Sequence, residues 1–278
     1  MLMALTGLMH IVGPAAAAGR GAGAFNVISI EHAEGIVSGA ESAGRPVILQ
    51  ISENCVRYHS GLEAIAAATL SIARSASVPV AVHLDHATDD ELIRNAAGLG
   101  LGSVMYDTSA MPYQASVSAT KAVTGWCHDR GVAVEAELGE IGGKDGVHSP
   151  VARTRPAEAA AFTRETGVDA LAVAVGSSHA MLTRDAVLDL TLIAEIRAAV
   201  PVPLVLHGSS GVPDQALSAA VAAGLTKVNI GTQLNKVFTS AVREMFSRNP
   251  AMVDPRQYLA GGREAVGAEV SRLLRIIS

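Results

Sequence analysis

Three histidines, His86, His179 and His207, each stand where an apolar run gives way to small and polar residues. His86 closes His83-Leu84-Asp85-His86, His179 closes Gly176-Ser177-Ser178-His179, and His207 opens His207-Gly208-Ser209-Ser210-Gly211. Imidazoles arriving from three different strands can converge on one ion. Three protein nitrogens with an open fourth position form the ligand set of a catalytic zinc. A lone histidine more often satisfies a local hydrogen bond; three at equivalent strand ends favour a shared metal. Carboxylates accompany them. Asp85 adjoins His86 and can move a proton or orient the ring beside it. Asp107 and Glu137 bring hard oxygens that either hold a metal in an alternative or neighbouring position or pair across the same mouth as salt bridges.

An anion also has a place. Gly208, Ser209, Ser210 and Gly211 are small enough to bring backbone N–H groups close to it, and Asn229-Ile230-Gly231-Thr232 follows the next apolar run in the same manner. His83 faces away from Leu84 and precedes the strand end, so it is expected to pack behind the site. His10, His32, His59, His128 and His148 are expected at the periphery, His148 on a loop from which it can visit the site.

Eight elements are needed to bring these groups together. Runs rich in Val, Ile, Leu and Ala occupy 23–29, 46–52, 78–84, 102–107, 132–138, 170–175, 203–207 and 227–230. Their hydrophobicity is continuous rather than alternating, as in strands of a parallel sheet covered on both faces. Helical periodicity fills 31–44, 62–75, 89–99, 113–130, 157–165, 185–200 and 214–223, with further helices at 232–248 and 263–276. Thr88 ahead of Asp89, Asp90 and Glu91 reads as a capped helix start. Eight strand–helix units at this length predict an α/β fold, a (β/α)8 barrel with extra terminal helices in one domain over 1–278, with an open doubly wound sheet as the alternative. The stretch 1–12 is expected to form a short helix closing one end, with a secretion signal as the lesser alternative, and 139–155 a glycine-rich loop.

Composition narrows the function. A net charge of −5, scattered basic residues and few aromatics argue against nucleic acid as a partner. No run approaches the ~20 apolar residues of a membrane span. Cys55 and Cys127 have no paired spacing and are expected to be buried thiols in a reducing cytoplasm.

The chain resembles the class II fructose-bisphosphate and tagatose-bisphosphate aldolase family over nearly its whole length, from Ala24-Phe25-Asn26-Val27 to Asp254-Pro255-Arg256-Gln257-Tyr258-Leu259. The motifs that carry the likeness are His83-Leu84-Asp85-His86, Ser103-Val104-Met105-Tyr106-Asp107, Val134-Glu135-Ala136-Glu137-Leu138-Gly139 and Leu204-Val205-Leu206-His207-Gly208. The resemblance implies a zinc barrel that cleaves a ketose bisphosphate to dihydroxyacetone phosphate and an aldehyde. It makes His86, His179 and His207 the zinc ligands, and Asp107 and Glu137 residues of a second position for a divalent metal or a monovalent cation. Asp85 becomes the acid and base at the C4 oxygen. Asn26, Ser52, Gly208, Ser209, Ser210, Gly211, Asn229, Gly231 and Thr232 become substrate-binding residues, with Arg256 gripping the distal phosphate, across subunits in some members. A homodimer or homotetramer is implied.

The sequence also departs from the family pattern. Ala180 follows the second histidine where glycine is usual, and Met181-Leu182-Thr183-Arg184 replaces a Tyr-Lys-Gly-containing stretch. Asp145, with Glu140 as competitor, stands for the loop glutamate that moves the C3 proton, and Gln233 replaces a common acidic residue. The expectation is a metal-dependent ketose 1,6-bisphosphate aldolase, fructose ahead of tagatose. An aldolase for another phosphorylated sugar or deoxy-sugar acid is one alternative, and a metal-binding barrel without turnover is the other.

Overall fold

Strands dense in branched side chains and short enough to be bridged by single helices close on themselves. In the computed structural model, described for residues 4–138, 153–179 and 181–278, they are β1 (Ala22–Asn26), β2 (Val47–Ser52), β3 (Val80–Ala87), β4 (Ser103–Tyr106), β5 (Ala133–Leu138), β6 (Ala170–Val173), β7 (Leu204–Leu206) and β8 (Leu225–Ile230). Each pairs in parallel with the next, and β1 pairs with both β2 and β8. That closure settles the barrel over the open sheet.

Around them run α1 (Met9–Ala17), α2 (Ile30–Ala43), α3 (Glu53–Tyr58), α4 (Glu63–Ser75), α5 (Asp90–Leu99), α6 (Tyr113–His128), α7 (Pro156–Thr166), α8 (Leu190–Ala199), α9 (Asp214–Ala223), α10 (Thr232–Arg248) and α11 (Pro255–Ile277). Among the described residues no helix is long and apolar enough to cross a membrane.

The two faces of each strand part company, as the period of two requires. Leu49, Ile51, Val82, Leu84, Val104 and Val134 join the large core beneath the helices. The inward-facing Ala24, Ile48 and Ala81 instead pack with Leu8, Ile11 and Val12. The N-terminal segment therefore plugs the barrel floor. It begins with a parallel bridge between Leu5 and Val80, and its helix extends to Ala17, five residues past the expected stretch.

Several boundaries differ from expectation for local reasons. Asp89, rather than Thr88, caps α5: its carboxylate accepts from Glu91 N at 2.9 Å, whereas Thr88 turns to Glu53. Residues 185–189 stay non-helical because Ala186 N donates to Gly211 O and Asp189 N to Val175 O, after which Asp189 caps α8. Asp254 caps α11, which starts at Pro255 rather than near 263. The short α3, capped by Ser52, was not expected. His32 is not peripheral: it is buried and stacks on Phe238 with ring centroids 4.8 Å apart.

Candidate metal centre

Asp85 and His86 are neighbours on β3, and regular strand geometry would send them to opposite faces. His86 instead has φ of +52°, and the β3–β4 register shifts between Leu84 and Ala87. This bulge turns the strand locally so that both side chains enter the barrel mouth. A left-handed backbone costs a non-glycine residue roughly 1–2 kcal/mol, so strain is held at a candidate ligand.

The three imidazoles meet there. His207 Nδ1 lies 3.0 Å from His86 Nε2, and ring centroids are 4.6 Å apart for His86–His207, 5.1 Å for His86–His179 and 5.6 Å for His179–His207. One nitrogen from each lies within 4.8 Å of the others, and the same spacing holds for ligand atoms of His86, Asp107 and Glu137. A carboxylate stands behind two of the rings: Asp107 Oδ2 is 3.3 Å from His86 Nδ1, and Glu135 Oε1 is 3.0 Å from His207 Nε2. Burial first, and the neighbouring His86 second, hold the His207 imidazole well below its ordinary range, against the opposing pull of Asp85. A neutral imidazole is the form that ligates a metal. The donor set therefore fits a borderline cation such as zinc with a harder oxygen position beside it.

Asp85 is only 2% exposed and is held by amides. Asn26 Nδ2 donates to its Oδ2 at 3.2 Å, Gln50 Nε2 to the same oxygen at 3.3 Å, and Asn229 Nδ2 to its Oδ1 at 3.5 Å. A cavity of about 270 Å³ opens over this group, with Asn26, Ser52, Asp85, His86, His179 and Gly208 in its wall. Ser210, Asn229, Gly231 and Thr232 complete its wall. Gly208 has φ of +66°, and a Cβ there would lie 2.5 Å from Ser178 O, so only glycine lets the turn close against the neighbouring loop.

Other expected residues fall elsewhere. The Ser209 hydroxyl is buried and donates to Asn229 O, and Gly211 packs on Met181; both support the turn rather than line the cavity. Arg256 is off the cavity wall, with its side chain 88% exposed and ion-paired to Asp254. Asp145, Glu140, Lys144, His148 and Ala180 lie outside the described residues. His83 is packed behind the site as expected, its Nδ1 2.9 Å from Ser103 Oγ. Sequence reading missed Gln50, Asn54 and Asn235 in the cavity wall, and Glu135 beneath it. Gln50 and Glu135 had one signal: a polar residue two before a polar strand end shares its face.

Barrel and mouth together define an enzyme scaffold whose mouth gathers a set of groups able to ligate a metal ion. The family described as fructose-bisphosphate aldolase class-II matches residues 6–278. The chain belongs to that family, and it is an aldolase, a carbon–carbon lyase. It is 35% identical over 277 residues to the fructose-bisphosphate aldolase of Geobacillus stearothermophilus, covering 98% of this chain and 96% of that one. The crystal structure of the YdjI aldolase from Escherichia coli K12 superposes with a TM-score of 0.85 at 31% identity, covering 99% of this chain and 97% of that one. The Campylobacter jejuni fructose-bisphosphate aldolase shares the fold, with a TM-score of 0.82 at 23% identity over 98% of this chain and 95% of that one. The family is generally metal-dependent.

Proposed function

We propose that the chain, as one catalytic domain, cleaves a ketose 1,6-bisphosphate reversibly to dihydroxyacetone phosphate and an aldehyde, with fructose 1,6-bisphosphate ahead of the tagatose isomer. The observation that carries this reading is the convergence of ligand atoms from His86, His179 and the fully buried His207, at a cavity whose wall includes His86, His179 and Asp85. These imidazoles would hold zinc, and Asp107 and Glu137 would serve a second divalent or monovalent cation. Bound there, the ion supplies Lewis-acid stabilisation of the negative charge that develops as the C3–C4 bond breaks.

The chain's own residues do the rest. Asp85, fixed by Asn26, Gln50 and Asn229, takes the C4 hydroxyl proton in cleavage and returns it to the aldehyde oxygen in synthesis. The turn Gly208 to Ser210 and the start of α10 at Gly231 and Thr232 cradle the phosphate through backbone N–H groups and hydroxyls, and with the metal as electron sink no Schiff-base lysine is needed. Asp145, with Glu140 as its competitor, is assigned the C3 proton. Arg256 would reach substrate from a second copy of the chain, which fits a homodimer or homotetramer. Cys55 and Cys127 are buried, with thiols pushed by burial to about 11, in keeping with a cytoplasmic setting.

Retro-aldol cleavage of both bisphosphates, measured with zinc, with a chelator and with Asp85→Ala, tests the reading. Chelator should abolish turnover, and the variant should lose most of it, on the order of 100-fold or more. Unchanged turnover in chelator sinks the metal mechanism. Inactivity on both sugars with zinc still bound favours a different substrate or a binding role.

A further inference from the structure

We propose that the buried ion pair of Glu135 and Lys227 is a positioning device: it fixes His207 in the tautomer that turns a bare Nδ1 toward the metal. The inference rests on the reading of His207 as a ligand. Both side chains lie inside the barrel, one layer below the mouth, and both are completely buried. Lys227 Nζ donates to Glu135 Oε2 at 2.8 Å. Removing two charges from water costs several kcal/mol per ion, and such pairs are often no more stabilising than apolar residues of the same volume. Barrel interiors are ordinarily filled by branched apolar side chains. Here the wall beside this layer is Ala170, Ala172 and Ala174 of the β6 segment, packed with Val205, which leaves volume for polar neighbours. Stability alone therefore gives no reason for this pair.

Its geometry supplies one. With Oε2 engaged by lysine, Glu135 presents Oε1 to His207 Nε2 at 3.0 Å. A carboxylate only accepts, so the bond requires the proton on Nε2. The opposite ring nitrogen, Nδ1, then carries a lone pair toward His86 Nε2 at 3.0 Å and Glu137 Oε2 at 3.8 Å, the side on which the ligand atoms gather. A competing arrangement exists. Asn229 Nδ2 lies 3.1 Å from the same Nε2 and would donate to it if it were bare, placing the proton on Nδ1 and blocking the metal-facing nitrogen. Lysine-held Glu135 decides between the two, because a charge-assisted bond outweighs one from a neutral amide. His83 meets Ser103 Oγ through Nδ1 at 2.9 Å, while its Nε2 stands 3.8 Å from Glu135 Oε2, beyond hydrogen-bond reach, and so leaves both carboxylate oxygens to Lys227 and His207.

The test begins with the unmodified metal-free protein, where two-bond nitrogen–proton NMR of labelled imidazoles reads the His207 tautomer directly. A proton on Nε2 is expected, and a proton on Nδ1 overturns the proposal. Zinc affinity is then measured by chelator competition for Glu135→Gln/Lys227→Met and for Lys227→Arg. The neutral double variant should show mixed tautomers and tenfold to hundredfold weaker zinc binding with its melting temperature largely kept, whereas the arginine variant should retain affinity. Native affinity and a single Nε2–H tautomer in the double variant defeat the idea. If the double variant does not fold, the unmodified tautomer and the arginine variant decide. His207→Ala separates the underlying reading: undiminished zinc affinity there removes His207 from the ligand set without touching the tautomer result.

Discussion

At the scale of single residues, the site depends on backbone conformations that side-chain chemistry alone does not announce. Gly208 combines a left-handed φ with a carbonyl 2.5 Å from where a Cβ would sit. Gly208→Ala should therefore cost more than the roughly 1–2 kcal/mol of the left-handed conformation alone. The expected result is a lower melting temperature together with a raised KM for the phosphorylated substrate. His83 and His207 carry a pH consequence. Burial holds both well below their ordinary value of 6.5, so the unfolded chain takes up protons that the folded chain refuses. Stability of the metal-free protein should be insensitive to these groups above that value and fall as pH drops below it. Melts from about pH 8 to about pH 5.5 check this, and a flat profile contradicts it. His86, His207 and Asp85 were legible because charged or ligating residues at the ends of apolar strands stand out. Gln50, Asn54 and Asn235 were not, since neutral amides have no spacing signature and acquire meaning only when the barrel closes.

At the scale of elements, the strand–helix rhythm was readable because short runs rich in Val, Ile, Leu and Ala alternate with stretches of helical periodicity. Boundaries were harder. The 185–189 stretch has helical composition, yet its backbone bonds to Gly211 and Val175 hold it extended, a tertiary effect absent from any local window. The segment before β1 illustrates the opposite case. Its apolar residues have no partner in the local sequence but fill the barrel floor, with Leu8 fully buried. Leu8→Ala should destabilise by roughly 2–5 kcal/mol. Denaturant unfolding should show that loss, while zinc affinity at the opposite end stays unchanged.

At the scale of the whole molecule, the proposed bisphosphate carries two anionic groups that call for cationic partners. Among the described residues no lysine or arginine lines the cavity, and Arg256 is exposed and paired with Asp254. Arg256→Ala should raise KM several-fold and leave the melting temperature within experimental scatter, as exposed substitutions do. Activity that falls on dilution, and is lost sooner in a variant that dissociates, is expected if a second copy delivers the guanidinium.

The floor carries the remaining consequence. Val80 N, at the start of β3, donates to Ala4 O, and Gly21 N, just before β1, donates to Ile277 O. Ala4 and Ile277 are thus both anchored on the side away from the candidate metal centre. A support coupled beside Ala4 or Ile277 would sit behind the barrel, so immobilised molecules should present open mouths to the passing substrate.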